Sequence, residues 1–334
     1  MTKRQLILYL TLSTMFLGSD RFLNAQRISD SDLQAKSSDK IRQAKRNKTK
    51  FLRMVKDDAG KPKSLETSIT RYRSNDDKLL VDLIGVIHVG EADYYRKLNY
   101  QFKQYESLLY ELVAPEGHRV PDREARGGGN PVHFLQSSMQ RMLGLQSQLK
   151  HIDYSKSNFV HADLSPRQMQ QKMAERGDTA WSLGIRAFSE MMQNQSSAQR
   201  SVAAAAAGDI ESFEDLFSVI NDPARLKVIM ASQFADGGAM EAGLGSSLNQ
   251  LLITDRNQAA MKVLESEIAK GKKTIAIFYG AAHMPDFEKR LVDDMGLRKT
   301  RQAWVEAWDL QSAPRNAGAN GLAEMFFELI DAIE

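Results

Sequence analysis

Two strand-forming runs in this chain close on the same tetrad. Leu79-Leu80-Val81-Asp82-Leu83-Ile84 leads into Gly85-Val86-Ile87-His88, and Thr274-Ile275-Ala276-Ile277-Phe278-Tyr279 leads into Gly280-Ala281-Ala282-His283. Glycine lets backbone or ligand approach closely, so a histidine just beyond it, at the mouth of a buried strand, is well placed to build a site. The histidines are 283 − 88 = 195 positions apart. They converge on one pocket if the two strands are neighbours in a sheet.

The sequence around the tetrads supplies such a sheet. Thr67 to Arg73 alternates with period two, turns at Ser74-Asn75-Asp76-Asp77 and meets the first apolar run, which predicts a β-hairpin. Glu91 to Tyr105 has helical spacing at Tyr94, Tyr95, Leu98 and Phe102, and Ser107 to Val113 is a short apolar strand, completing a βαβ unit. A helical pattern runs from Val132 to Leu149, and a strand from Asn158 to Asp163 precedes Ser165-Pro166, a helix start with serine as N-cap. Helix Ser247 to Lys270, strand Lys273 to Tyr279, helix Pro285 to Asp294 and strand Arg298 to Trp308 follow. The expected fold class is α/β (α+β). It has a mixed central β-sheet flanked by helices over residues 64–310, with a mostly helical insertion at about 165–240 that reads as a lid.

With 334 residues, 42% hydrophobic, the chain has ample material for a large core. Its start reads as a signal peptide over 1–25: Lys3 and Arg4, an apolar Leu6 to Leu17, then the small-residue neighbourhood Asn24-Ala25-Gln26. The implied destination is periplasmic or extracellular. The apolar stretch falls short of the roughly 20 residues a membrane span needs. Asp20 and Arg21 make the cleavage region untidy, which leaves an uncleaved N-terminal anchor as the alternative, and no other segment is a membrane candidate. Residues 26–63 form a basic, largely flexible lead-in, and 311–334 a linker and C-terminal amphipathic helix. No cysteine is present, which excludes disulfides and a thiol nucleophile. The net charge of +3 argues neither for nor against a nucleic-acid partner; the basic residues are not interleaved with aromatics, so none is expected. Gly127-Gly128-Gly129 lacks a Gly-Lys-Ser/Thr ending, and no Gly-x-Ser-x-Gly, His-Glu-x-x-His or Gly-x-Gly-x-x-Gly occurs.

His88 and His283 are the leading candidates. Neutral imidazole suits Zn²⁺, Mn²⁺, Co²⁺ or Fe²⁺; the alternative is that each ring caps a strand end by bonding backbone. Glu111 lies inside Leu108-Leu109-Tyr110-Glu111-Leu112-Val113, where a carboxylate is costly unless compensated. It reads as a metal ligand or a general base, against a structural ion pair. Arg256 shares a helical stripe with Leu252, Ala259, Ala260 and Val263, so its guanidinium faces the core and needs an anionic partner, with Asn257 beside it as a further donor. A second set of candidates comprises His161 and Asp163 on one strand face, and Asp82, which shares a strand face with His88 and could orient it. His118, His133 and His151 carry no motif and default to the surface.

Gly85-Val86-Ile87-His88, Tyr-Glu-Leu around Glu111, Asp255-Arg256-Asn257 and Gly280-Ala281-Ala282-His283, in this order, resemble the TraB/PrgY/GumN group. That group includes the TIKI metalloproteases, within a superfamily of erythromycin-esterase-like and ChaN-like proteins. The resemblance spans about residues 79 to 310 and is weakest in the helical middle. It implies a mixed α/β sheet flanked by helices and a divalent-metal-dependent peptidase, with Mn²⁺ or Co²⁺ favoured over Zn²⁺ and a peptide or protein as substrate. On the matching positions, His88, Glu111, Arg256 and His283 take the functional role.

Overall fold

In the computed structural model, residues 49–114, 143–179, 222–235 and 249–312 are described. The expected signal peptide, most of the lead-in, His118, His133, the centre of the helical insertion and the C-terminal helix lie outside them. Among the described residues, no helix is long and apolar enough to cross a membrane.

A seven-stranded sheet organises the chain. Strand β1 (Leu52–Lys56) pairs antiparallel with the first part of β2 (Pro62–Arg73), and β3 (Leu80–Val86) pairs antiparallel with the rest of the same edge. Residues 52–56, expected in the flexible lead-in, are therefore part of the sheet. The other edge of β2 is taken along its length by β9 (Arg298–Asp309), also antiparallel. From β3 onward the sheet is parallel, in the order β3, β8 (Thr274–Gly280), β5 (Ser107–Tyr110) and β7 (Phe159–His161). The sheet is thus mixed, as the α/β reading requires.

Apolar residues alternate between two cores because helices cover both faces. Ile84, Leu108, Tyr110, Phe278 and Trp308 face one core, with Tyr94, Tyr95, Leu98 and Phe102 of α1 (Ala92–Phe102) packed on it. Leu83, Leu109, Ile275, Ile277 and Tyr279 face the other. Over this second face lie Ala260, Met261 and Leu264 of α5 (Asp255–Ala269) and Met284 and Phe287 of α6 (Met284–Lys289). The remaining helices are α2 (Gln148–His151), α3 (Pro166–Glu175) and α4 (Pro223–Ala235). A small second sheet pairs β4 (Val89–Gly90) with β6 (Gln146–Ser147). Ser165 closes the expected cap: its hydroxyl accepts the Gln168 amide, and the Gln168 side chain accepts the Ser165 amide.

This topology makes a crevice. The neighbours β3 and β8 send their following helices to opposite faces, α1 to one and α6 to the other. A parallel sheet opens to ligand at such a reversal, beyond the carboxyl ends of its strands. Both tetrads end there.

Candidate active site at the carboxyl ends of the parallel strands

Each of the four parallel strands delivers one polar side chain to its carboxyl end. His88 follows β3 by two residues, His283 follows β8 by three, Glu111 follows β5 directly and Asp163 follows β7 by two. Gly280 sits among three of them. A methyl built on it would stand 3.3 Å from Glu111 Oε2, 3.5 Å from His88 Nε2 and 3.6 Å from His283 Cδ2. The glycine leaves that space to three functional groups, and its amide donates to Glu111 Oε2 at 2.7 Å. Gly85 serves a different purpose: Met284 and Ala281, from the turn after β8, pack against its backbone.

Glu111 is compensated as the sequence demanded. Its side chain is 11% exposed, and Arg256 Nη2 donates to Oε1 at 2.8 Å. Arg256 also grips Asp163 with two N–H groups, Nε to Oδ1 at 3.0 Å and Nη2 to Oδ2 at 2.6 Å. One guanidinium therefore joins two buried carboxylates. Burial opposes ionisation of Glu111, yet His283, Arg256, His88 and the Gly280 amide outweigh it and bring the carboxyl down to about 2. Burial pushes His283 down to about 4, against the pull of Glu111, so this ring is uncharged at neutral pH. The cation that holds the carboxylates is then Arg256, and the cluster of Glu111, Asp163 and Arg256 carries one net negative charge.

Asn257 decides which His283 nitrogen is free. Its Nδ2 donates to the His283 carbonyl at 3.0 Å and to Asp286 Oδ2 at 2.9 Å, two acceptors that fix the amide's orientation. Oδ1 therefore faces His283 Nδ1, 2.6 Å away, which must be the N–H. The Nε2 lone pair is left pointing toward Glu111, with 3.6 Å to Oε1.

His88 differs in being exposed, on the open side of the crevice. Its loop is nevertheless pinned. The carbonyls of Ile87, His88 and Val89 accept from Tyr95 Oη at 3.0 Å, the Gln148 amide at 2.9 Å and Trp308 Nε1 at 2.7 Å. Its Nδ1 lies 2.9 Å from Gln148 Oε1, and Gln148 Nε2 donates to Tyr154 Oη at 2.8 Å.

Asp82 does not orient His88. It is fully buried well upstream on β3, where it binds Arg71 through Nε and Nη2 at 2.9 and 2.8 Å and accepts from Tyr105 Oη at 2.7 Å. His88 lies six positions on, beyond the carboxyl end of β3, so the expected shared face did not bring them together. His161 bonds the Leu112 carbonyl through Nε2 at 2.6 Å and stacks edge-on to Tyr110, tying adjacent strand ends. Asp163 is held by the Arg256 fork beside Glu111, and its Oδ1 also accepts from the Leu164 amide. His151 is half-buried, its Nδ1 bonding the Ser147 carbonyl and its ring stacked on Tyr95. The helical pattern expected from Val132 to Leu149 is interrupted by β6, after which Gln148 opens α2; neither Gln148 nor Tyr154 stood out in sequence, since their placement depends on the β4–β6 pairing.

The donor set suits a divalent cation: two imidazole nitrogens and a carboxylate, with both rings held from behind at Nδ1. Ligand atoms on one ion with bonds of about 2.1 Å stand about 3.0–3.4 Å apart, within a few tenths of the His283–Glu111 separation of 3.6 Å. Among the described residues, no group of three or more His, Cys, Asp or Glu side chains is placed so that it could hold a metal ion as it stands. No family model, curated protein or solved structure matches the chain.

Proposed function

We propose that this chain is a divalent-metal-dependent hydrolase, most simply a peptidase, of the kind its motif resemblance to the TraB/TIKI group implies. The observation that carries the reading is the meeting of His88 Nε2, His283 and Glu111 around the side-chain-free Gly280. His88 and His283 would hold the cation through Nε2, with Glu111 as third ligand or as proton acceptor. A bound Mn²⁺ or Co²⁺ supplies Lewis acidity toward a carbonyl and lowers the pKa of water. Arg256 keeps Glu111 ionised and fixes its position; its Nε and Nη2 are committed to Glu111 and Asp163, which favours this role over stabilising an oxyanion. Exposed His88 marks the side from which a peptide carbonyl would enter. The net negative charge of the cluster favours binding a cation there.

A metal-free hydrolase, with His88 as general base on water, is the second reading. It is favoured by the fact that both Glu111 oxygens already have partners, Arg256 and the Gly280 amide. A non-catalytic binding protein retaining the pocket is the third. Export, with membrane contact only through an uncleaved first segment and no nucleic-acid partner, is proposed alongside.

Metal analysis of the purified full chain, with peptide-library hydrolysis before and after chelation, separates these readings. The expected result is activity lost on chelation and restored by Mn²⁺ or Co²⁺. Activity that persists after metal removal overturns the first reading in favour of the second. Absence of turnover under every condition favours the third.

A further inference from the structure

Each tetrad histidine is backed by a carboxamide that grips it twice. Asn257 meets the His283 ring at Nδ1 and donates to the His283 carbonyl. Gln148 meets the His88 ring at Nδ1, and its backbone amide donates to the His88 carbonyl. The two arrangements come from unrelated elements, one from the first turn of α5 and the other from α2. Gln148 is 5% exposed although its histidine is exposed, and its own amide is anchored by Tyr154 Oη. A buried polar side chain with both ends bonded, in a helix only four residues long, is held there by those bonds more than by its helix.

We infer that Gln148 is the positioning residue for His88, holding Nδ1 as the N–H and turning the Nε2 lone pair toward Glu111 and Gly280. The inference rests on the functional reading above. A neutral carboxamide suits the task, because it orients the ring without adding a third carboxylate to a cluster that already carries one net negative charge. With Oε1 facing the ring, Nε2 of Gln148 is left to Tyr154 Oη, whereas two strict acceptors, Asp286 and the His283 carbonyl, fix the amide of Asn257. Ring partners of this kind, when removed from ligating histidines, typically cost about 10–100-fold in metal affinity or activity.

The test uses the full-length protein with Gln148→Met, which keeps length and packing but has no acceptor, and Gln148→Glu, which keeps an acceptor for His88 and accepts from Tyr154. Co²⁺ affinity is read by titration, and the His88 tautomer by imidazole ¹⁵N shifts of the metal-free protein. Gln148→Met should weaken Co²⁺ about 10–100-fold and move His88 away from the Nδ1–H form. Gln148→Glu should stay within a few-fold and keep that form. Wild-type behaviour of Gln148→Met, or equal losses in both variants, overturns the inference, since packing alone would explain the residue. If the wild type itself binds neither Co²⁺ nor Mn²⁺, the functional reading fails, and the ¹⁵N pattern across the variants decides the positioning role by itself.

Discussion

Arg256 is the single side chain on which the charge balance of the crevice depends. It is 11% exposed and bonds two carboxylates, one of them fully buried. Removing it leaves Glu111 and Asp163 facing each other without a cation, and stranded buried charges of this kind cost about 3–5 kcal/mol. Arg256→Met should lower stability to urea by that order, and Arg256→Lys should recover only part of it, because a point charge cannot reproduce the fork. A loss below about 1 kcal/mol would mean that the carboxylates are solvated or protonated. The pH response follows from the same cluster. In metal-free protein His283 protonates near 4 when folded, against an ordinary 6.5. The unfolded chain then binds more protons between those values, so stability is lost as pH falls through that window. Glu111, held near 2 instead of 4.5, adds a loss in the same direction below it. Urea midpoints between pH 7 and 4 should fall more steeply in wild type than in His283→Asn; equal slopes would contradict the burial of a neutral ring.

At the scale of elements, the site depends on where strands stop and how helices begin. Arg256 and Asn257 stand in the first turn of α5, directly after a π-helical stretch, Gln250–Thr254. Such widened turns recur at functional sites. Here the stretch precedes three consecutive buried polar residues, Asp255, Arg256 and Asn257. The turn after β8 has a similar economy. Gly280 has φ −49° and ψ 138°, a conformation open to any residue, so its value lies in the missing side chain. Gly280→Ala should leave thermal stability within about 1 kcal/mol while sharply reducing Co²⁺ affinity, because the methyl occupies the space shared by Glu111 and His88. Unchanged affinity would place the ligand elsewhere. On the opposite flank, Lys227 of α4 is 3% exposed and pairs with Glu91, the residue before α1, at 2.7 Å. Glu91 is 35% exposed and can be hydrated, whereas Lys227 cannot. Lys227→Met is therefore expected to be close to neutral and Glu91→Gln the more destabilising change; the reverse order in parallel melts would contradict the pairing.

Across the whole molecule, what sequence could read was local pattern. The period-two run from Thr67, the helical spacing of Tyr94, Tyr95, Leu98 and Phe102, and the Ser165-Pro166 cap all appear as read, because each is decided by neighbours along the chain. Glu111 and Arg256 were legible for a related reason: a charge among apolar residues needs a partner, and each is the other's. What escaped was decided by contacts between distant segments. Strand β1 was hidden in a basic stretch until β2 gave it a partner, and Gln148 acquires its role only when β6 pairs with β4. Asp82 was misassigned because a shared strand face says nothing about distance along the strand. The strand order β3, β8, β5, β7 was likewise not in the pattern, yet it alone sets His88 beside His283.

That juxtaposition is tested most directly by anomalous diffraction from crystals of the full chain grown with Mn²⁺ or Co²⁺. The expected result is one strong peak per chain, within bonding distance of His88 Nε2, His283 Nε2 and a Glu111 oxygen. A peak bound by other residues, or two imidazoles too far apart to share one ion, would contradict it.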